Sequence, residues 1–417
     1  MPKSSAIGEE KTTSDFEADL KAVAHRLRSS ILGLMASVNQ DVSNPQAIAR
    51  QFGLDKNLTW KISKVVQESD AFAALAHFPG QASVRALLKA FERAGATESS
   101  VRAMRQAAAD FDHIVRVHSG DRVTLDMMLD NLVAERRHER MEIHRRTLYR
   151  GLSATWGVQA RLQLCVNVVA PSDDPDWVDV AWLSGLVELR RLRRDTPWAI
   201  ASVGKFADDG SPLPVGTLEA LDPRFNGPDT APLLGDFCSK PLPDIRPAPP
   251  AGNMVRYQLV QGQVGKLAAV SCIIGLKGRS LVRRTKAENY TCGEHGARLY
   301  TPAELLIHDL YVHRDLRYAM SPELAVYSHM PGGLMYPGCG PDQGLLPIGD
   351  PVISLGSQPP DVLTPEFPRY SKMIHYVFER SGWDMHDFAG FRVKLRYPPI
   401  PALAVLRYPL PEPGAAA

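Results

Sequence analysis

At about residue 156 the hydrophobic pattern of this 417-residue chain changes period, so one regular architecture cannot span both sides of the change. Upstream, apolar residues recur every three or four positions. Leu20, Val23, Ala24, Leu27, Ile31, Leu34, Met35 and Val38 form one such stripe, opened by Ser14 and Glu17 in the spacing of a capping box. Further stripes begin near Ser83 (Val84, Leu87, Leu88, Phe91), Ser99 (Val101, Met104, Ala108, Phe111) and Thr124 (Leu129, Leu132, Val133). Asn44-Pro45, Pro79-Gly80 and Ser119-Gly120 interrupt them. Downstream, VQARLQLCVNVVAP alternates at Val158, Ala160, Leu162, Leu164 and Val166, the period of a strand buried on one face.

The expected fold class is therefore multidomain α+β, an all-helical N-terminal domain followed by a mixed α+β C-terminal domain. Residues 1–13 read as a polar, disordered leader, 14–118 as the helical domain, 119–155 as a basic connecting helix and 156–417 as the α+β domain. Within the last, WVDVAWLSGLVELRRLR reads as a strand or a short helix, and PWAIASVG as a strand. Proline, glycine and aspartate crowd 208–252, which reads as a long loop or linker. RYQLVQGQVGKLAAVSCIIGLKG reads as a strand pair, and RLYTPAELLIHDLYVHRDL leaves helix and strand open. Tyr370, Met373, Ile374, Val377 and Phe378 predict a helix over 366–381. The prolines of FRVKLRYPPIPALAVLRYPLP restrict any strand there to a sheet edge.

Charge bears on partners through its distribution rather than its sum of +2. Six arginines fall between 136 and 150, four between 190 and 194, and three cations between 283 and 286. Such patches suit phosphate contacts, and equally suit solvated helix faces. No run of eighteen apolar residues occurs, so no membrane partner is expected. Five scattered cysteines without a C-x-x-C pair suit free thiols in a reducing, cytoplasmic setting.

The most specific segment is NPQAIARQFGLDKNLTWKISKVV. Asn44 can cap a helix that starts at Pro45. The small Ala49, four residues before Gly53, allows a close helix crossing, and Gly53 suits a left-handed interhelical turn anchored by Leu54. Asp55 can cap a second helix whose buried stripe is Leu58, Ile62 and Val65. This leaves Lys56, Asn57, Thr59, Lys61 and Lys64 toward solvent, with no acid from Lys56 to Gln67.

Residues 45–67 resemble the helix-turn-helix of bacterial transcription regulators, with Ala49, Gly53, Leu54 and Ile62 as its structural positions. The resemblance covers about 23 residues, and the rest of the chain resembles no nameable family. Thr59 stands where a buried valine or isoleucine is usual in that pattern, and Trp60 follows it, so the register of the second helix is open by one residue. The resemblance implies a regulator that contacts double-stranded DNA through Lys56, Asn57, Thr59, Lys61 and Lys64. Arg136, Arg137, Arg140, Arg145 and Arg146 are further candidate phosphate contacts. A homodimer, with the stripe of the first helix packed on a second copy, and a C-terminal domain for a small-molecule effector or oligomerisation would complete it, while the same stripe suits its own domain's core at least as well.

The rival reading makes the C-terminal domain an enzyme, metal-dependent if His295, His308, Asp309 and His313 converge, or an assembly scaffold that the helices merely dock. No H-E-x-x-H or paired-cysteine spacing supports the metal, and no cofactor is called for. G-x-S-x-G, G-x-G-x-x-G and the phosphate-binding P-loop are absent. Gly338-Cys339-Gly340, with His329 near in sequence, is the one arrangement that would expose a thiol nucleophile.

Overall fold

A computed structural model describes residues 15–194, 197–203, 205–206, 212–213, 218–227, 230–248, 255–260, 262–287, 290–328 and 344–414, without the side chains of 134–138 and 202–217. The chain divides into two compact units, the first ending at Arg140 and the second starting at Met141. A helical first unit and a sheet-rich second make the protein α+β. The leader expected over 1–13, and Ser14, lie outside the described residues.

The first unit holds α1 (Phe16–Ala36), α2 (Pro45–Phe52), α3 (Lys56–Gln67), α4 (Ala71–His77), α5 (Gln81–Arg93), α6 (Glu98–Ile114) and α7 (Arg122–Leu132). Asp15, not Ser14, caps α1, its carboxylate accepting the Glu17 amide at 3.1 Å. Thr97 and Asp121 cap α6 and α7 in the same way. The α1 stripe from Leu20 to Met35 is buried in the unit's own core, against residues of α3 to α7. It is therefore not free to pack on a second copy, as the sequence suggested. Nor do residues 119–155 form one connecting helix. Extended backbone at Val133 separates α7, whose Leu125 and Leu129 complete the first core, from α8 (Ala134–Trp156).

The second unit starts within α8 and continues through β1 (Val158–Pro171), β2 (Trp177–Arg191), β3 (Trp198–Val203), β4 (Lys205–Phe206), β5 (Pro212–Leu213), β6 (Leu218–Ala220), β7 (Ile245–Pro247), β8 (Val255–Leu259), β9 (Val270–Arg283), β10 (Cys292–Leu299), β11 (Ala303–His313), β12 (Glu323–Ser328), β13 (Val352–Ser357), α9 (Tyr370–Ser381), β14 (Phe388–Arg396) and β15 (Ala402–Pro409). A seven-stranded sheet runs β13-β14-β11-β1-β2-β9-β6, antiparallel except where β1 pairs β11. Sheet β10-β15-β12 covers one of its faces, and α9 covers the other through Tyr370, Met373, Ile374 and Val377. β3, β8 and β7 form a third sheet around Ile200 and Leu259.

Four sequence expectations are overturned by this layering. β1 is buried on both faces, because the small sheet covers its polar side as well. Residues 218–227 and 230–248 are no linker, since Leu221, Leu234 and Phe237 fill the core beside α9. β14 lies inside the large sheet and β15 in the middle of the small one. Pro398, Pro399 and Pro401 fall between these strands and Pro409 ends the second, so no central ladder amide is lost. The expected strand pair 256–278 is two strands of different sheets, β8 and β9.

At the centre of the second unit Asp309 of β11 faces Arg392 of β14 across the ladder. Both are buried, with Nε to Oδ1 at 2.9 Å and Nη2 to Oδ2 at 2.7 Å. The hydroxyls of Tyr311 and Tyr370 donate to the same carboxylate, and Arg392 Nη1 donates to the Leu363 carbonyl at 2.8 Å. Removing one charge of a buried, fully bonded pair strands the other, at a cost of about 3–5 kcal/mol. Arg392→Ala should lower the second unit's stability by that amount. Urea unfolding followed by tryptophan fluorescence reads it, since five of the six tryptophans belong to this unit. An unchanged midpoint would show that the pair is dispensable.

Candidate nucleic-acid interface

The helix-turn-helix geometry is built locally. Asn44 accepts the Ala47 amide at 3.2 Å and Pro45 opens α2, which loses nothing by lacking an amide hydrogen there. Gly53 ends α2 in the left-handed conformation (φ +61°), and the Gly53 and Leu54 amides both donate to the Ala49 carbonyl. Two residues later Asp55 starts α3, accepting the Asn57 and Leu58 amides at 2.9 and 3.1 Å. Ala49, Leu58 and Ile62 are buried, Leu54 is half-buried, and Phe52 stacks on Phe91 of α5 at 4.5 Å. At the other end of α3, Arg28 of α1 donates to the carbonyls of Val65, Glu68, Ser69 and Asp70. One guanidinium thus takes one open carbonyl of the last turn, that of Val65, and those of the cap and the two residues after it, and its charge complements the helix dipole.

The outer face of α3 differs from the expected one by a single residue. Thr59 is buried, its hydroxyl donating to the Lys56 carbonyl at 3.1 Å, and cannot reach a base. A threonine of this size fills the position that valine usually takes, and its hydroxyl is satisfied within the helix. Trp60 takes the surface position, 43% exposed. The exposed stripe is Lys56, Asn57, Trp60 and Gln67, with Lys61 and Lys64 half-buried alongside. Among the described residues no carboxylate lies within ion-pair distance of these three lysines. Asp55, beside Lys56, is occupied in capping, and Glu68, four residues after Lys64, lies 3.8 Å from His77. A concavity of about 430 Å³ opens beside Asn57 and Lys61, between the turn at Gly53 and the start of α5 at Gly80.

The arginine candidates have different surroundings. Arg145 is buried and paired with Asp350 at 3.2 Å, which removes it from phosphate contact. Arg140 pairs with Asp130 at 3.3 Å in the first unit, while Arg146 is exposed beside the Tyr397 ring in the second. The side chains of Arg136 and Arg137 lie outside the described residues.

The candidate metal set is dispersed by strand alternation. His308 and Asp309 are neighbours on β11 and face opposite layers, Asp309 toward α9 and His308 toward the small sheet. His295 of β10 shares a 2.9 Å hydrogen bond with the Tyr408 hydroxyl, and His313 at the end of β11 packs edge-on to Phe388. Among the described residues no three histidine, cysteine or carboxylate side chains meet as metal ligands. His329 and Cys339 lie outside the described residues. What His295 and His308 join is a buried polar seam between the sheets. Asn167 reaches His308 at 3.3 Å, Gln163 donates to the Arg298 carbonyl, and burial pushes the Cys165 thiol up to about 12.

Burial likewise pushes His295 down to about 4 and His308, helped by its neighbour His295, down to about 3. Both stay neutral in the fold while the unfolded chain takes up protons below its ordinary pKa of about 6.5. Stability is therefore complete above that pH and falls as pH drops toward 4 and then 3, by roughly 2 kcal/mol per histidine at pH 5. Urea midpoints between pH 7 and 5 should show this loss, and His295→Phe should remove about half of it. A midpoint indifferent to pH in this range would contradict the buried, neutral assignment.

No family model matches the chain, and no curated protein or solved structure is similar to it. The residue that sequence reasoning missed on the candidate face is Trp60. The signal was available: Trp60 is four residues from both Lys56 and Lys64, and so shares their side of a helix whose other side is Leu58, Ile62 and Val65. For the turn itself, a Cβ on Gly53 meets no atom within 4 Å, so Gly53→Ala isolates the backbone term. It should destabilise the first unit by about 1–2 kcal/mol, the cost of a left-handed alanine. Hydrogen exchange in α2 and α3 would show it as faster opening than elsewhere in the unit. Equal exchange in both proteins would argue that the turn tolerates a side chain.

Proposed function

We propose that the protein is a DNA-binding regulator that places α3 in the major groove of duplex DNA. The observation that carries this reading is the combination of a tight helix-turn-helix with an outward α3 face bearing Lys56, Asn57, Lys61 and Lys64 and no acid. Lysines are suited to phosphates on the groove walls, and an asparagine amide to the paired donor and acceptor of an adenine edge. Thr59 and Arg145 are excluded from this assignment by their burial. Under this reading residues 141–417 serve ligand sensing or assembly. Among the described residues no helix is long and apolar enough to cross a membrane.

Binding of the full chain to duplex DNA should weaken steeply with salt. Lys61→Ala or Lys64→Ala should weaken it on all sequences alike and lower the slope of log K against log salt by about one unit for each phosphate left without its lysine. Asn57→Ala should leave the slope intact and reduce discrimination between sequences by about tenfold. A salt slope that neither lysine substitution changes would refute the placement of α3.

A further inference from the structure

Trp60 is an anomaly on a face otherwise made of lysine, asparagine and glutamine. Its indole is 43% exposed at the middle of α3, one helical turn from Lys56 and from Lys64. The ring is held in place rather than free. His77 of α4 meets it edge-on at 5.4 Å and 83°, and the Lys64 ammonium lies 6.0 Å over its centroid. A large apolar side chain, ordered in advance and kept in contact with water, is suited to covering an apolar group of a partner. In the major groove, base edges present hydrogen-bond donors and acceptors throughout, and one apolar group: the C5-methyl of thymine. A methylated cytosine carries the same group at the same carbon.

We propose that Trp60 reads a pyrimidine C5-methyl group in the major groove, which makes it a specificity-determining contact of the α3 face. The proposal rests on the duplex-binding reading above. Its geometry follows from the helix: a side chain in the middle of a groove-bound helix meets base edges, whereas the lysines one turn away on either side reach toward the phosphates. Asn57, three residues before Trp60 on the same stripe, would contact a neighbouring base pair. His77, at the end of α4, touches the edge of the indole while the ring stays at the surface of α3.

The test uses the full chain and a duplex obtained by selection from random sequence. Each thymine is replaced in turn by uracil, which removes only the methyl group. Each cytosine is replaced separately by 5-methylcytosine. Wild type should lose about 4-fold in affinity at one uracil position, or gain about as much at one methylated cytosine, the contribution of a single buried methyl group. The first result identifies thymine as the source and the second 5-methylcytosine, and either supports the proposal. Trp60→Ala should bind with an unchanged salt slope and no longer respond to the methyl group. Trp60→Leu, which keeps apolar bulk if the alanine variant folds poorly, should retain part of the response.

Salt-dependent binding that Lys64→Ala weakens, with no methyl dependence at any position, overturns the proposal and leaves the duplex reading standing. So does methyl discrimination that survives in Trp60→Ala. Tighter binding to the single strand than to the duplex overturns it as well, and points to base stacking on the indole. No duplex binding even at low salt defeats both readings together.

Discussion

The buried pair of Asp309 and Arg392 is the constraint around which the second unit is arranged. Each charge costs several kcal/mol to take out of water, and only a complete set of partners offsets that. The carboxylate receives the guanidinium and two tyrosine hydroxyls, and the guanidinium reaches one backbone carbonyl besides. These partners come from β11, β14, α9 and the segment before α9. Satisfying one pair therefore sets the strand register, seats the helix and closes the loop at Leu363 together. A one-residue slip of β14 would turn Arg392 into the apolar layer that Phe391 and Val393 share with the small sheet.

The other face of the same strands carries a second polar layer of a different kind. Gln163, Cys165, Asn167, His295 and His308 are neutral groups between two sheets, and they pair with one another, with backbone or, for His295, with the Tyr408 hydroxyl. Such a seam specifies which strands lie opposite each other, and it holds only while the histidines are uncharged. It also accounts for the failure of the metal reading, since histidines read as ligands from the sequence are bound into sheet-to-sheet packing.

In the first unit the corresponding constraint is backbone geometry. Gly53 permits the turn, Asp55 starts α3 and Arg28 closes its far end, so α3 is held at both termini and through its buried stripe. What remains outward is a short polar surface on a helix that carries no acid between Lys56 and Gln67. The same rigidity that supports the turn presents Trp60, which side-chain size alone would assign to the core.

Local rules were enough wherever a residue's role depends on its own stretch of chain. The change of period, the caps at Asn44 and Asp55, the left-handed glycine and the buried face of α9 are of this kind, because hydrogen bonds within four residues or a single helical repeat decide them. Most of the misreadings concern what lies across a gap in sequence. The alternation of β1 looked like one wet face, because nothing in residues 158–171 announces that β10, β15 and β12 will cover it. The proline-rich stretch after residue 208 looked like a linker until Leu234 and Phe237 met α9. Thr59 and Trp60 are the local exception: the helical repeat itself exchanges core for surface between them, since Trp60 shares the side of Lys56 and Lys64. The sequence by itself determined the two classes of secondary structure, the tight α2–turn–α3 hairpin and the lysines on its outer side. Only the tertiary structure decided which polar residues are buried with partners and which face solvent, because burial depends on the covering layer, and that layer comes from distant parts of the chain.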